Sequence, residues 1–262
     1  MKTVLVTGCS SGFGLEIARR FLDEGWHVVA TMRSPRAALL PASERLRIVA
    51  LDVRNPESIR RAVDTAGEID VLVNNAGIGW LNALEGTSLE TARDLFETNT
   101  LGPMAMMQAV LPGFRAQRAG VVVNLSSSVT LKPLPLLAVY TASKAALNAL
   151  TESAALELEP FGIRVRIVLP GRAPDTQFGR NARSRLQASG GIHPAYEELA
   201  GVVFDGWAGD GDLTHVSDVV EAVWRAATDP AAPMRLAAGA DAEALAAWPR
   251  PGGMEGSLSA RR

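Results

Sequence analysis

TVLVTGCSSGFG, residues 3–14, decides the fold of this chain of 262 residues. Its first five residues, Thr3–Thr7, are a short β-rich run, and a glycine-rich turn follows at once. From Gly14 to Glu24 the apolar residues recur at helical spacing, and Gly25 ends the pattern. The stretch therefore predicts a strand, a tight turn and a helix, the first of a series of strand–helix units.

The same alternation continues along most of the chain. We predict further strands at 28–31, 47–51, 71–73, 121–125, 165–169 and 234–237, and helices at 56–66, 140–159 and 217–228. A capping box at Thr87–Glu90 opens a long helix that reaches about residue 117 and that Gly102-Pro103 kinks. This alternation favours a single α/β domain with a Rossmann-like doubly wound parallel sheet, which binds ligands at the carboxyl ends of its strands.

Two stretches break the alternation. Residues 171–216 contain no clear strand, and we interpret them as a substrate-binding loop or lid. Residues 249–262 are rich in Pro, Gly and Ser, and we expect them to form a flexible C-terminal tail. The folded domain is therefore predicted to span residues 1–248.

The composition argues against several classes of function. The net charge is −2 without a basic or acidic block, so we expect neither nucleic acid nor a charged membrane as a partner. Cys9 is the only cysteine, and the three histidines are too scattered to suggest a metal site. The strand-like start leaves no room for a signal peptide, and no apolar run approaches the ~18 residues of a membrane span, so we expect a cytoplasmic protein.

Three polar side chains are predicted to form a proton-transfer site. Tyr140 and Lys144 lie four residues apart at the head of a predicted helix, which places them on one face. Ser127 lies thirteen residues upstream of Tyr140, where a predicted strand ends. We expect the lysine charge to lower the tyrosine pKa from its reference near ~10, and the serine hydroxyl to hold a substrate oxygen. Ser126 and Ser128 are alternatives to Ser127, although alternation along the strand turns them to the opposite face.

The glycine-rich turn predicts a second site, which would bind a dinucleotide. Glycines between a strand and a helix let backbone N–H groups approach a pyrophosphate at the positive helix N-terminus. A glycine-rich turn without a ligand is the alternative, which its place directly after an N-terminal strand disfavours. The residues of this predicted site are Gly8, Ser10, Ser11, Gly12, Phe13 and Gly14.

These motifs together resemble those of the short-chain dehydrogenase/reductase family. The Gly-x-x-x-Gly-x-Gly spacing and the Tyr-x-x-x-Lys pair carry the resemblance, and Asn74–Gly77 and Pro170-Gly171 stand in the family's order. The resemblance extends over residues 1 to about 171. The catalytic tetrad that it implies is Asn99, Ser127, Tyr140 and Lys144.

The resemblance also implies a role for each member of the tetrad. Tyr140 would protonate a carbonyl oxygen during reduction and deprotonate an alcohol during oxidation, and Ser127 would hydrogen-bond the same oxygen. Lys144 would lower the tyrosine pKa and bind the nicotinamide ribose. Asn99 would hold a water molecule that relays protons through the ribose and Lys144. The hydride itself would come from the nicotinamide cofactor.

The end of the predicted second strand bears on the choice of cofactor. No acidic residue is present there to accept from the adenosine ribose hydroxyls, and Arg33 and Ser34 can instead bind a 2′-phosphate. We therefore predict NADP(H), with NAD(H) as the alternative. Where the family has a threonine, four residues after the Pro-Gly pair, the chain has Asp175, with Thr176 next. The further cofactor contacts that the resemblance implies are Asp52, Val53, Asn75, Ala76, Gly77, Tyr140, Lys144, Pro170 and Gly171.

The predicted surroundings of the tyrosine are apolar, which indicates an uncharged, lipophilic ketone or secondary alcohol as substrate. The protein would then be a carbonyl reductase or alcohol dehydrogenase. The alternatives are a sugar epimerase or dehydratase of related fold and a non-catalytic NADP-binding sensor. By resemblance, the long helices at 88–117 and 140–159 would pair in a homodimer or homotetramer. The apolar residues concerned are Trp80, Leu131, Leu134, Leu136, Leu137, Phe178, Tyr196, Phe204 and Trp207.

Overall fold

The computed structural model describes residues 1–208 and 211–247. Its strands are β1 (Thr3–Val6), β2 (His27–Met32), β3 (Leu46–Ala50), β4 (Val71–Asn74), β5 (Gly120–Leu125), β6 (Ile163–Pro170) and β7 (Arg235–Ala238). Its α-helices are α1 (Gly12–Asp23), α2 (Pro56–Ala66), α3 (Leu89–Phe96), α4 (Gly102–Gln117), α5 (Ala138–Leu158), α6 (Gln177–Ala188), α7 (Glu197–Ala208), α8 (Val216–Thr228) and α9 (Ala240–Ala247).

The strands form one parallel sheet in the order β3-β2-β1-β4-β5-β6-β7. This confirms the predicted doubly wound sheet, because the chain builds outward from β1 to β3 and then returns to β4 on the other side. The order reverses between β1 and β4, which pair with Val6 opposite Val73. At such a reversal the connections diverge and leave a crevice at the carboxyl ends of the strands.

The central strands of the sheet, β1, β4 and β5, are buried on both faces, as expected for a parallel sheet between two layers of helices. Val4 and Val6 contribute to a core with α1 and α8, whereas Leu5 contributes to a core with α2 and α4 on the other face. Along the other central strands too, successive residues belong alternately to the two cores, because successive side chains of a strand point to opposite faces of the sheet. The strands therefore hold the site residues at their ends on a rigid support that is largely buried at the centre of the sheet.

The predicted long helix is divided by a π-helical turn, Glu97–Leu101, between α3 and α4. Gly102-Pro103, the pair at which we predicted a kink, follow this turn directly and begin α4. The predicted capping box is wrong in detail. Ser88, not Thr87, is the N-cap and accepts from the Thr91 N–H at 3.1 Å, while the Thr87 hydroxyl donates to the Ala83 carbonyl.

The segment at 171–216, which we expected to be a loop, is largely helical where the structure describes it. It contains α6 and α7. In α7, Ala200, Val203, Phe204 and Trp207 recur at helical spacing and pack into one apolar cluster, a pattern that our prediction of a loop overlooked. In α6 only Ala182 and Leu186 are buried, and α7 contains Gly201 and Gly206, which weaken any helix prediction. Helix α9 was not predicted at all, and the proposed tail at 249–262 lies outside the described residues.

Helix α5 carries Tyr140 and Lys144 in its first turns and buries both. It begins two residues before the predicted start, at Ala138. No helix in the ranges 1–208 and 211–247 is long and apolar enough to cross a membrane, and this includes the 21 residues of α5.

An aromatic cluster secures α1 against α8. Phe21 is fully buried, and its ring meets those of Trp26 and Trp224 edge-on with centroids 5.0 Å apart in each case. Edge-to-face pairs of this kind add to the free energy gained from burial alone. The cluster therefore fixes the helix whose N-terminus faces the crevice.

We predict that Phe21→Ala lowers the free energy of unfolding by about 3–5 kcal/mol, because it leaves a cavity in a close-packed core. Urea denaturation followed by tryptophan fluorescence measures the change. Leu84→Ala, at a side chain that is 68% exposed, is the matched control and should change the unfolding free energy by less than about 0.5 kcal/mol. Equal losses in the two variants would contradict this account of the α1–α8 interface.

Candidate active site

The predicted site residues converge on one edge of the sheet. The glycine-rich turn follows β1, the Asn74–Gly77 segment leaves β4, Ser127 follows β5 and Pro170-Gly171 ends β6. These are the carboxyl ends of four strands, which lie next to one another in the sheet. Parallel pairing alone brings together residues that are far apart in the chain.

Ser127, Tyr140 and Lys144 form a buried polar cluster at this edge. The Ser127 hydroxyl hydrogen-bonds the phenol of Tyr140, and the Lys144 ammonium donates to the Leu125 carbonyl at 2.9 Å. All three side chains are less than 9% exposed. Ser126 points elsewhere, because its hydroxyl donates to the backbone carbonyl of Lys144 at 3.4 Å. The structure thus brings Ser127, and not Ser126, to the tyrosine.

Burial dominates the acid–base properties of this cluster. It raises the pKa of Tyr140 to about 12, although the hydrogen bond from Ser127 acts in the opposite direction. It lowers the pKa of Lys144 to about 8, because the charged ammonium is removed from water. Our expectation that Lys144 lowers the tyrosine pKa is therefore wrong for the protein by itself, in which desolvation of the phenolate outweighs every other effect.

Asn99 lies in the π-helical turn and is fully buried. Its Oδ1 accepts from the Ile78 N–H at 2.9 Å, and its Nδ2 donates to the Ile78 carbonyl and to Ser143 Oγ. Both amide hydrogens are used, so the side chain ties the segment after β4 to α5. The water-holding role implied for Asn99 stays a prediction. The nearby Pro103 has no N–H to donate to the Asn99 backbone carbonyl four residues earlier.

Gly77 lets the segment after β4 pass close to Asn99 and Lys144. A Cβ on Gly77 would lie 3.2 Å from Asn99 Oδ1 and 3.5 Å from Lys144 Nζ. The absence of a side chain therefore lets the backbone after β4 run directly past the lysine and the asparagine.

The glycine-rich turn is held against the segment after β4. The Asn75 side-chain amide donates to the carbonyls of Thr7 and Gly8 at 2.8 and 3.2 Å. A Cβ on Gly14 would overlap both Asn75 Nδ2 and the Gly8 carbonyl. Ser11, the N-cap of α1, makes no side-chain cap hydrogen bond. The backbone N–H groups in the first turn of α1 are therefore not bonded to the Ser11 side chain. Together with the space left by Gly8, Gly12 and Gly14, they fit a dinucleotide pyrophosphate.

The predicted adenosine end is more open. Arg33 and Ser34 follow β2 and are both exposed. Asp52 accepts from the Arg54 N–H at 3.0 Å and so begins a turn, as a purely structural aspartate would. Val53 is buried, with its side chain against Gly102.

Sequence reasoning missed Arg36 and Ser143. Arg36 donates to the Ser10 carbonyl at 2.9 Å and so reaches the glycine-rich turn from the basic segment that follows β2. Ser143 accepts from Asn99 and donates to the Tyr140 carbonyl at 2.7 Å. The position of Ser143 between Tyr140 and Lys144 in the Tyr-Thr-Ala-Ser-Lys motif could have pointed to it. The contact of Arg36 with the glycine-rich turn depends on the tertiary fold and has no such local pattern.

In the segment after β6, Asp175 and Thr176 point in different directions. Thr176 is buried, and its side chain lies 3.5 Å from the position that a Cβ on Gly12 would take. Asp175 is exposed and turns towards His215, with 3.8 Å between Oδ2 and Nδ1. Thr176, and not Asp175, therefore faces the glycine-rich turn.

Helix α6 covers the tyrosine with apolar side chains. The rings of Phe178 and Tyr140 lie 5.9 Å apart, and Phe178 packs on the backbone of Gly79, where a Cβ would lie only 2.8 Å from its ring. Trp80 and Leu186 are buried in the same cluster as Tyr140. Most of the other residues expected around the substrate belong to a neighbouring apolar cluster with α7: Leu136, Leu137, Tyr196, Phe204 and Trp207. The remaining two, Leu131 and Leu134, are half-buried.

Comparison with known proteins identifies the family. The short chain dehydrogenase family model matches residues 2–187. The chain belongs to the short-chain dehydrogenase family. Human retinol dehydrogenase 8 is 40% identical over 181 residues, which cover 65% of this chain and 58% of that protein. The chain thus spans less than two thirds of that relative.

Two solved structures of short-chain dehydrogenases cover nearly all of this family member. One, from Streptomyces avermitilis, superposes with a TM-score of 0.78 and 34% identity over 94% of this chain and 91% of that chain. The other, from Burkholderia cenocepacia J2315 in complex with NADP, has a TM-score of 0.75 and 29% identity over 94% of this chain and 93% of that chain.

We predict that the buried Lys144 makes the stability of this family member rise with pH between about 8 and 10.5. In that range the unfolded chain still binds the lysine proton and the folded protein does not, so raising the pH favours the folded state. Lys144→Met should lose this increase, which is on the order of 1–3 kcal/mol. Urea denaturation of both proteins across the pH range measures it.

Lys132→Met, at an exposed lysine, is the control and should keep the pH dependence of the wild type. Above about pH 10 the raised pKa of Tyr140 lowers the stability as the pH rises, which opposes the effect of Lys144. Wild type and Lys144→Met are therefore best compared below about pH 10. A Lys144→Met variant with the wild-type slope would show that the lysine is not desolvated as described.

Proposed function

We propose that the protein is an oxidoreductase that transfers a hydride between NADP(H) and a lipophilic ketone or secondary alcohol. The observation that carries this proposal is the buried pair of Ser127 and Tyr140 beside Lys144, at the edge of the sheet that also holds the glycine-rich turn. A phenol, a hydroxyl and an ammonium placed there are suited to binding and protonating a carbonyl oxygen.

The proton chemistry follows from the environment of Tyr140. With a pKa raised to about 12 by burial, the phenol is protonated at neutral pH and is ready to donate to a carbonyl oxygen. Ser127 would donate to the same oxygen and orient it. When bound, the nicotinamide cofactor supplies the hydride that reaches the carbonyl carbon. The protonated form of Lys144 would then stabilise the tyrosinate that remains, and the reverse transfers would oxidise an alcohol.

The chain's own residues support a dinucleotide with its pyrophosphate at the N-terminus of α1. Gly8, Gly12 and Gly14 leave room for the backbone approach, and Lys144 beside Gly77 would bind the nicotinamide ribose. Arg33 favours the 2′-phosphate of NADP(H) over NAD(H), and the Burkholderia relative was solved with NADP. NAD(H) is the alternative cofactor.

The apolar cover over Tyr140 supports a lipophilic substrate. Phe178, Trp80 and Leu186 lie around the phenol, and we propose that the segment at 171–216 encloses the substrate. The human relative is named for retinol, which is itself a lipophilic alcohol.

We predict that Tyr140→Phe lowers the rate of NADPH-dependent ketone reduction by at least about a hundredfold, because the proton donor is lost. NADPH consumption is measured across a panel of lipophilic ketones, together with the NADPH dissociation constant, which should change little. Thr65→Val, which removes an exposed hydroxyl that donates to the Arg61 carbonyl on α2, is the control and should keep wild-type turnover. Wild-type NADPH binding without turnover of any ketone would favour the sensor alternative.

We further predict that Arg33→Ala weakens NADPH binding by about tenfold and leaves NADH binding unchanged, because one charge-assisted contact to the 2′-phosphate is lost. Fluorescence titration gives both dissociation constants. Arg60→Ala, at another exposed arginine, on α2, is the matched control. An unchanged dissociation constant for NADPH would remove the argument for NADP(H) over NAD(H).

A further inference from the structure

Two polar side chains from the C-terminal part of the chain hold the turn that follows β6. Thr214 is fully buried, and Asp241 lies in the first turn of α9. The Gly171 N–H donates to Thr214 Oγ1 at 3.0 Å, and the Arg172 N–H donates to Asp241 Oδ2 at 2.6 Å. The Thr214 N–H in turn donates to the Arg172 carbonyl at 3.0 Å. The polar backbone groups of the turn are thus bound by two residues that lie some forty and seventy positions away.

The two side chains also bind each other. The Thr214 hydroxyl lies 2.6 Å from Asp241 Oδ1 and 2.9 Å from the Ala238 carbonyl oxygen. Its hydrogen can donate to either of these acceptors. A Cβ on Gly171 would overlap the Asp241 carboxylate, and one on Gly239 would overlap Thr214 Oγ1. Two glycines therefore make the space for this arrangement, and a displacement of the turn would leave the partly buried N–H groups of Gly171 and Arg172 without these partners.

The turn lies where the fold would place the nicotinamide end of a dinucleotide. It follows the carboxyl end of β6, next to β5 and Ser127, since the Ser126 N–H donates to the Val168 carbonyl at 2.8 Å. From the turn the chain runs to Thr176, which faces Gly12 of the glycine-rich turn. The position of Gly171 and Arg172 therefore sets the path of the segment between the catalytic cluster and the pyrophosphate site.

We propose that Thr214 and Asp241 are positioning residues for the nicotinamide end of the dinucleotide. They act by fixing the Gly171–Arg172 turn and with it the segment that leads to Thr176. This inference rests on the proposed function, because it requires that the protein binds a nicotinamide dinucleotide.

The test compares the whole dinucleotide with its adenosine half. Dissociation constants are measured for NADPH and for 2′,5′-ADP, or for NADH and ADP if the wild type prefers NADH. Asp241→Ala should weaken binding of the dinucleotide by about tenfold, because the turn loses a charged hydrogen-bond acceptor. Binding of the adenosine fragment should not change, because the fragment does not reach the turn.

Further variants separate positioning from general destabilisation. Asp241→Asn keeps one acceptor oxygen for the Arg172 N–H and should restore most of the dinucleotide affinity. Thr214→Val keeps the shape and removes only the hydroxyl, so it repeats the test if Asp241→Ala does not fold. Asp229→Ala is the control, because that carboxylate accepts from the Ala231 N–H at the other end of α8 and should change neither constant.

Wild-type affinity for the dinucleotide in both Asp241→Ala and Thr214→Val would overturn the inference. Equal losses for the dinucleotide and the fragment would also overturn it, because they would indicate a general structural role. A wild-type protein that binds neither NADPH nor NADH would instead refute the proposed function, and the inference with it.

Discussion

The Asn75 side-chain amide donates to the carbonyls of Thr7 and Gly8, while Thr7 Oγ1 accepts from the N–H groups of Asn75 and Ala76 at 3.0 Å each. These bonds join the turns after β1 and β4 at the point where the strand order reverses. The approach is so close that Gly14 cannot carry a Cβ without a shift of its neighbours. The first amides of α1 are therefore held at one place in the crevice, and the other parts of the site are positioned relative to them.

Buried hydrogen bonds extend this rigid arrangement from the crevice to the helix that carries Tyr140 and Lys144. Asn74 donates to Asn124 at 2.9 Å, and Asn124 donates to Thr151 on α5 at 2.8 Å. Asn99 joins the segment after β4 to the same helix through Ser143. A buried polar group without a partner is costly, so each of these bonds restricts where α5 can lie against the sheet. The site is thereby preorganised, although burial of the Lys144 ammonium opposes folding at neutral pH.

The C-terminal part of the chain completes the site from the other side. Helix α6 lays Phe178 over Tyr140, and Thr214 with Asp241 fixes the turn from which that segment departs. Asp94 on α3 lies 3.1 Å from Arg54 and 3.5 Å from Arg185 of α6. These ion pairs are partly exposed and individually weak, so they position α6 without locking it. The cover over the phenol is therefore joined both to the turn after β6 and to the segment after β3.

The sequence by itself determined the strand–helix alternation, the parallel sheet and the residues at the strand ends. These depend on local periodicity and on glycines whose neighbours in the chain already define a turn, as at Gly8–Gly14, and α2 at Pro56–Ala66 matched its prediction end to end. Only the tertiary structure decided that α6 forms, because its few buried residues, Ala182 and Leu186, gain partners from a distant segment at Gly79 and Trp80. It also decided the sign of the Tyr140 pKa shift and the contacts of Arg36, Thr214 and Asp241. The physical reason is that desolvation and hydrogen bonding across the fold depend on which distant groups surround a residue, and no local pattern records them.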